Sequence, residues 1–327
     1  MNPFKYTSVK DSKTAMTAAA TAGSKFIAGG TNIVDLMKLN IETPRQIIDI
    51  NGLGFNKIET LANGNIMIGA LVKNSDLAYD TTIMQRYPVL SEALLAGASA
   101  QLRNAASTGG NLMQRTRCPY FYDVAFACNK RVQGSGCSAI PGYNRDNAVL
   151  GTSDKCIATH PSDMCVAMAA LGAIIHLQGA KGTRTIPFAD FHLLPGQTPH
   201  LEHNLKSGEL ITSVELPALS FSSKSHYLKA RDRASYQFAL ASAAVVLDIK
   251  NGIIENARIA LGGVGTKPWR SFSAEKSLVG KSAGTETYRK AADMALAEAK
   301  AYKDNGFKIE LAKRTLVQAL TKVGEMS

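Results

Sequence analysis

The sequence predicts an α+β fold made of two α/β subdomains, residues 1–60 and 61–220, and a C-terminal α+β domain over 221–327. Three observations predict it. A strand, turn, helix, strand pattern occupies the first sixty residues; two alternating runs hinge on Asn63-Gly64 and Asn251-Gly252; and beyond residue 220 strands come first and amphipathic helices last.

Taken in order, KFIA (25–28) is short and apolar enough for a buried strand, GGTN breaks it, IVDLMKL has helical spacing and RQIIDI reads as another strand. KIETLANGNIMIGA follows as a hairpin, and helical stretches are expected over 75–79 and 89–98. PSDMCVAMAALGAIIHLQ reads as a helix opened by Pro161 and Ser162 that runs into a strand. ELITSVELP closes the second unit. The small, polar stretch LSFSSKS (219–225) after a proline is the expected boundary, and ASAAVVLDIKNGIIENARIALGGV is a second hairpin, with two long helices after it.

With 45% hydrophobic and 19% charged residues, the 327-residue chain can bury a large core. No run approaches the roughly 18 apolar residues of a membrane span, and the N-terminus has neither a Sec-type nor a twin-arginine signal. The formal charge is +11. From Phe221 onward there are 18 Lys and Arg against 10 Asp and Glu, dispersed along helices as in YRKAADMALAEAKAYKD. That pattern fits solvated helix faces and an acidic protein partner, and no nucleic-acid reader motif is present.

Two glycine turns can hold phosphate. AGGTN (28–32) lies between a strand and a helix, where adjacent glycines let backbone approach a ligand and the helix start offers free N–H groups; the bland alternative is a tight connection. STGGN (107–111) is a second turn of the same kind. Neither AGGTN nor the later GGVG is a dinucleotide fingerprint.

Five cysteines raise a separate question. RTRCPYFYDVAFACNKRVQGSGC (115–137) holds Cys118, Cys128 and Cys137, and Cys156 and Cys165 follow. An odd count without a signal disfavours a disulfide framework. The gaps of nine, eight, eighteen and eight residues match neither paired zinc ligands nor a ferredoxin run, so spacing leaves a metal site and free thiols both open. Neighbouring cations favour thiolates, and Gly134 and Gly136 permit sharp turns. His160 and the other histidines lack paired metal spacing and read as core or surface residues. Tyr120, Phe121 and Tyr122 could shield a cluster or pack the loop.

In order along the chain, KFIAGGTNIVDLMK, QLRNAASTGGNL, ATHPSD and GELITSVELP make it similar to the FAD-binding subunits of the xanthine dehydrogenase and aldehyde oxidoreductase family. The resemblance covers nearly the whole chain. It implies the PCMH-type FAD-binding fold followed by a carbon monoxide dehydrogenase flavoprotein type of C-terminal domain. Matched residue by residue, Lys25, Phe26, Ile27, Ala28, Gly29, Gly30, Thr31, Asn32 and Ile33 would line the pyrophosphate and ribityl chain, and Ser107, Gly110 and Asn111 would close over the cofactor. Asp163 would accept hydrogen bonds from FAD hydroxyls, its alternative being a helix cap. Ile211 and Lys229 would lie near the flavin ring, where a lysine could stabilise reduced flavin; the alternative for Lys229 is a surface cation. The cysteine insertion, 114–160, resembles that of bacterial periplasmic aldehyde oxidoreductase flavoproteins, which implies a 4Fe-4S cluster on Cys118, Cys128, Cys137 and Cys156. Cys165 sits inside a helix with Met168 and Ala169 on its face and is set aside as a core residue.

The implied function is electron transfer within a molybdenum-containing aldehyde oxidoreductase, with the molybdenum cofactor on a large partner, 2Fe-2S clusters on a small one, and an external electron acceptor. No nucleic acid or membrane span is expected. The compartment is expected to be the periplasm by co-export with a partner, or else the cytoplasm. The rival reading is a basic iron-sulfur or zinc protein without flavin that contacts nucleic acid.

Overall fold

A computed structural model describes residues 1–326. The first sheet contains three parallel strands, β1 (Lys5–Ser8), β2 (Ser24–Ile27) and β3 (Gln46–Asp49), in the order β1-β3-β2. The sequence reading found β2, the helix Ile33–Lys38 and β3 but not β1 or the helix Ser12–Ala19. KYTS carries no buried residue. Its strand conformation comes from parallel pairing with β3, Tyr6 opposite Ile47, which no local pattern encodes. The helix behind it starts where Asp11 accepts from Thr14 N at 2.8 Å.

The second sheet has β4 (Ile58–Thr60), β5 (Ile66–Gly69), β6 (Ile174–Gly179), β7 (Gly182–Pro187) and β8 (Leu210–Leu216), ordered β4-β5-β8-β6-β7 and antiparallel throughout. The expected Asn63-Gly64 hairpin joins β4 to β5, with Gly64 at φ +82°. Over one face lie the helices Asn74–Tyr79, Pro88–Ala96 and Asp163–Leu171.

The third sheet has β9 (Ser225–Ala230), β10 (Ala241–Lys250), β11 (Ile253–Gly262) and β12 (Trp269–Arg270), again antiparallel, ordered β12-β11-β10-β9. Asn251 and Gly252 take φ +50° and +76°, the double positive φ of a two-residue hairpin turn. β10 is buried on both faces. Ala243, Val245 and Leu247 pack against the C-terminal helices Thr285–Ala295 and Phe307–Gly324, while Ala244 and Val246 join the core around Asp163–Leu171. Every residue of that helix is buried because β10 and β11 of the third sheet and the helix Pro88–Ala96 pack around it, which is why its sequence is apolar all round. Among the described residues no helix is long and apolar enough to cross a membrane.

Candidate cofactor sites

The 28–32 turn packs against Ala105 and Ala106, the residues just before the second glycine turn. The 28–32 turn leaves β2 with Gly30 at φ +73°, a conformation L side chains rarely adopt. Gly29 is pressed on the second unit: a Cβ there would stand 2.0 Å from Ala105 O. Asn51 Nδ2 donates to Ala28 O at 3.1 Å, and Asn32 Oδ1 accepts from Arg115 N at 3.0 Å. Phe26, Ile27, Thr31 and Ile33 are half-buried along the same edge, and the exposed Lys25 ammonium is 3.5 Å from Glu42. Opposite, buried Ser107 caps the helix Thr108–Leu112 by accepting from Gly110 N at 3.2 Å. Asn111 Oδ1 accepts from Ser162 Oγ at 2.6 Å, which ties this turn to the THPSD segment.

Asp163 is not the cap of its helix. Ser162 fills that role, accepting from Cys165 N at 3.0 Å, so the capping alternative for Asp163 falls. Its carboxylate instead accepts from Lys229 Nζ at 2.8 Å and the Tyr227 hydroxyl at 2.5 Å. Lys229 is only 4% exposed and also donates to Ala96 O at 3.1 Å, so the surface-cation reading fails too. Burial and the adjacent Asp163 carboxylate push the Tyr227 hydroxyl well above its ordinary pKa, keeping it a donor. Ile211 sits in β8 opposite Leu177, 6% exposed.

Asp163 opens on a cleft of about 100 Å³ that is also lined by Arg117, Cys118, Asn147, His160 and Phe238. Arg117 lies between the Tyr122 and Phe238 rings, 5.5 and 5.3 Å from their centroids, and among the described residues has no hydrogen bond or ion pair. It is a cation on the cleft wall without an anion. Sequence reasoning noted the basic run but had no signal to separate Arg117 from Arg115, which is fully engaged.

The four expected cysteines, Cys118, Cys128, Cys137 and Cys156, line one small pocket with Phe121 and Lys130 on its wall. None is in a disulfide. Cys128 and Cys137 bridge as an antiparallel pair, closed by a turn in which Gly134 and Gly136 take φ +80° and +106°. Gly136 N donates to Asn129 Oδ1 at 2.9 Å, so that amide stabilises the loop and does not face sulfur. The sulfurs receive donors elsewhere: Asn147 Nδ2 to Cys118 at 3.6 Å and Ala158 N to Cys156 at 3.4 Å. Burial raises the Cys118 thiol and pushes Cys156 up to about 12, with Lys130 opposing the latter. Four cysteines on one pocket wall, two of them with an N–H donor at sulfur, are a donor set of the kind that holds a metal group as thiolates, and binding would release their protons. Cys165 stands apart, fully buried in the core of its helix.

Ion pairs hold this insertion down. Arg115 spans Glu42 at 2.8 Å and Glu202 at 2.6 Å, and Lys130 reaches Glu202 at 2.7 Å. Burial works against the Glu202 carboxylate, but the two cations outweigh it and hold its pKa at about 2.

His160, Cys165 and His192 bring their ligand atoms within 4.8 Å of one another. His160 Nδ1 accepts from Ser162 N at 3.3 Å and His192 Nε2 donates to Leu112 O at 3.0 Å. With His160 thus protonated on Nε2, the pair offers one nitrogen lone pair, which suits a packed core contact and not a metal. Burial keeps both imidazoles neutral, His192 down to about 4.

Residues 2–219 match the family described as the FAD binding domain in molybdopterin dehydrogenase. The chain belongs to the FAD-binding medium subunits of the xanthine dehydrogenase family. Residues 225–323 match the CO dehydrogenase flavoprotein C-terminal domain, so the expected fold class holds in both parts. Among its relatives, the aldehyde oxidoreductase FAD-binding subunit PaoB of Escherichia coli (strain K12) is 51% identical over 98% of each chain. The glyceraldehyde dehydrogenase medium chain of Sulfolobus acidocaldarius is 30% identical over 78% of this chain and 73% of that one. In three dimensions the chain is similar to a carbon monoxide dehydrogenase from Hydrogenophaga pseudoflava, at 25% identity and a TM-score of 0.76 over 99% of this chain and 98% of that one. As a medium subunit, the protein is one part of a multi-subunit oxidoreductase.

Proposed function

We propose that this medium subunit serves a molybdenum-containing aldehyde oxidoreductase, passing electrons from the 2Fe-2S clusters of a small partner to an external acceptor, while a large partner carries the molybdenum cofactor. The 51% identity to an aldehyde oxidoreductase subunit supports the substrate class. Bound FAD supplies a centre that exchanges electrons singly or in pairs. The chain's own residues bind and orient it: the 25–33 edge and its helix start face the pyrophosphate, Ser107, Gly110 and Asn111 close the second side, and Ile211 packs toward the ring. Asp163, aligned by Lys229 and Tyr227, keeps free lone pairs for FAD hydroxyls.

The same proposal assigns a 4Fe-4S cluster to Cys118, Cys128, Cys137 and Cys156. The observation that carries it is their convergence on one cavity from positions spread over 39 residues of sequence, with Cys165 left outside. The flavin-free rival loses its ground with the FAD-domain match, and the compartment is proposed to be the periplasm, reached by co-export with a partner. The test is purification of the native complex with cofactor analysis of each subunit and aldehyde-dependent dye reduction. The complex is expected to turn over and the isolated chain not to; turnover by the isolated chain, or a complex indifferent to aldehydes, would refute this assignment.

A further inference from the structure

Cys118 is the one described residue that lines both the cysteine pocket and the cleft beside Asp163. This residue therefore stands where the two sites adjoin. Asn147, 3% exposed and also on the cleft wall, donates through Nδ2 to Cys118 Sγ at 3.6 Å and to Ile157 O at 3.3 Å. A carbonyl accepts only, so the nitrogen of this amide must be the atom on that side, and its second hydrogen is the one aimed at sulfur.

The amide is held from the C-terminal domain. Asn305 Nδ2 donates to Asn147 O at 3.3 Å and to Ala148 O at 3.1 Å. Lys308, fully buried on the last helix, donates to Asn147 O at 3.0 Å and to Asp146 O at 3.1 Å. Two buried donors fix the backbone of a residue whose side chain, among the described residues, bonds only Ile157 O and a cysteine sulfur.

We propose that Asn147 is a positioning residue that raises the reduction potential of the iron-sulfur cluster through an N–H···S bond to Cys118, the ligand that also lines the cleft beside Asp163. The inference rests on the cluster assignment above. Reduction adds negative charge to a cluster and its thiolates, so a donor to sulfur stabilises the reduced form more than the oxidised one. Removing the donor while keeping the ligands makes the cluster harder to reduce without changing how much iron is bound.

The experiment uses the assembled complex, with iron and labile sulfide counted and the cluster titrated potentiometrically by electron paramagnetic resonance. Asn147→Leu and Asn147→Asp both lack an N–H toward Cys118, and both are expected to retain wild-type iron with a lower midpoint potential, the aspartate lower still. Independently of any variant, wild-type protein labelled with ¹⁵N at asparagine side chains should show nitrogen hyperfine coupling to the reduced cluster. An iron-replete Asn147→Leu with the wild-type midpoint, or wild-type protein without that coupling, would overturn the role of Asn147. A wild-type complex whose medium subunit holds no iron would overturn the cluster assignment itself and this inference with it.

Discussion

Gly29 and Gly30 constrain the chain in different ways. A Cβ on Gly29 would meet Ala105 O at 2.0 Å, so even Gly29→Ala must part the 28–32 turn from the 105–115 segment. Gly30 has more room, with Val34 at 3.2 Å, but holds φ +73°, so Gly30→Val is strained by its backbone. Both variants are expected to fold and to lose most of their FAD, measured as flavin released per chain; full occupancy in either would remove this turn from the site. Asp163→Ala has a second consequence, because it leaves Lys229 buried without its counter-charge. It should cost about 3 to 5 kcal/mol in denaturant unfolding. Adding Lys229→Met should recover stability but not flavin, and recovery of both would show that the pair only packs.

At the scale of elements, the cysteine insertion has little regular structure beyond the short helix Pro119–Tyr122, and its order comes from anchors and sulfur. Replacing Cys118, Cys128, Cys137 or Cys156 by Ala should each deplete iron and sulfide sharply, since cluster thiolates act as a set. Cys165→Ala should keep its iron. Elemental analysis of the five variants decides it, and iron loss on changing Cys165 would break the assignment. The last helix makes a pH prediction. Burial lowers the Lys308 pKa to about 7, against about 10.4 for an unfolded chain, so between those values the unfolded state binds more protons. Stability should therefore rise from pH 7 toward 10, and Lys308→Met should flatten that rise in melts across the range. The elements legible in sequence were those with local signals: both Asn-Gly hairpins, the helix after Ser162 and the long C-terminal helices. β1 was illegible because KYTS becomes a strand only by pairing with a segment some forty residues away.

In the whole molecule, three sheets bring distant sequence motifs into one line: AGGTN against 105–115, Asn111 against Ser162, and Asp163 against Lys229. The resemblance named those motifs, but it could not show that Asp163 and Lys229 neutralise each other or that Arg117 stands unpaired. Nor did cysteine spacing reveal a common cavity, because nine-, eight- and eighteen-residue gaps converge only after the loop is folded back by Arg115, Lys130 and Glu202. The basic surplus beyond residue 220 is not confined to solvated helix faces as expected: Lys229 and Lys308 are buried, while Lys250, Lys290 and Arg314 are among those exposed, and assembly with acidic partner surfaces should weaken as salt rises, measured by subunit dissociation from 50 mM to 0.5 M salt. One chain is expected to hold flavin and a cysteine-bound cluster together. The medium subunit, separated anaerobically from its native complex and assayed for its cofactors, should carry one FAD with four iron and four sulfide per chain; FAD with stoichiometric zinc and no sulfide, or with no metal at all, would refute this pairing.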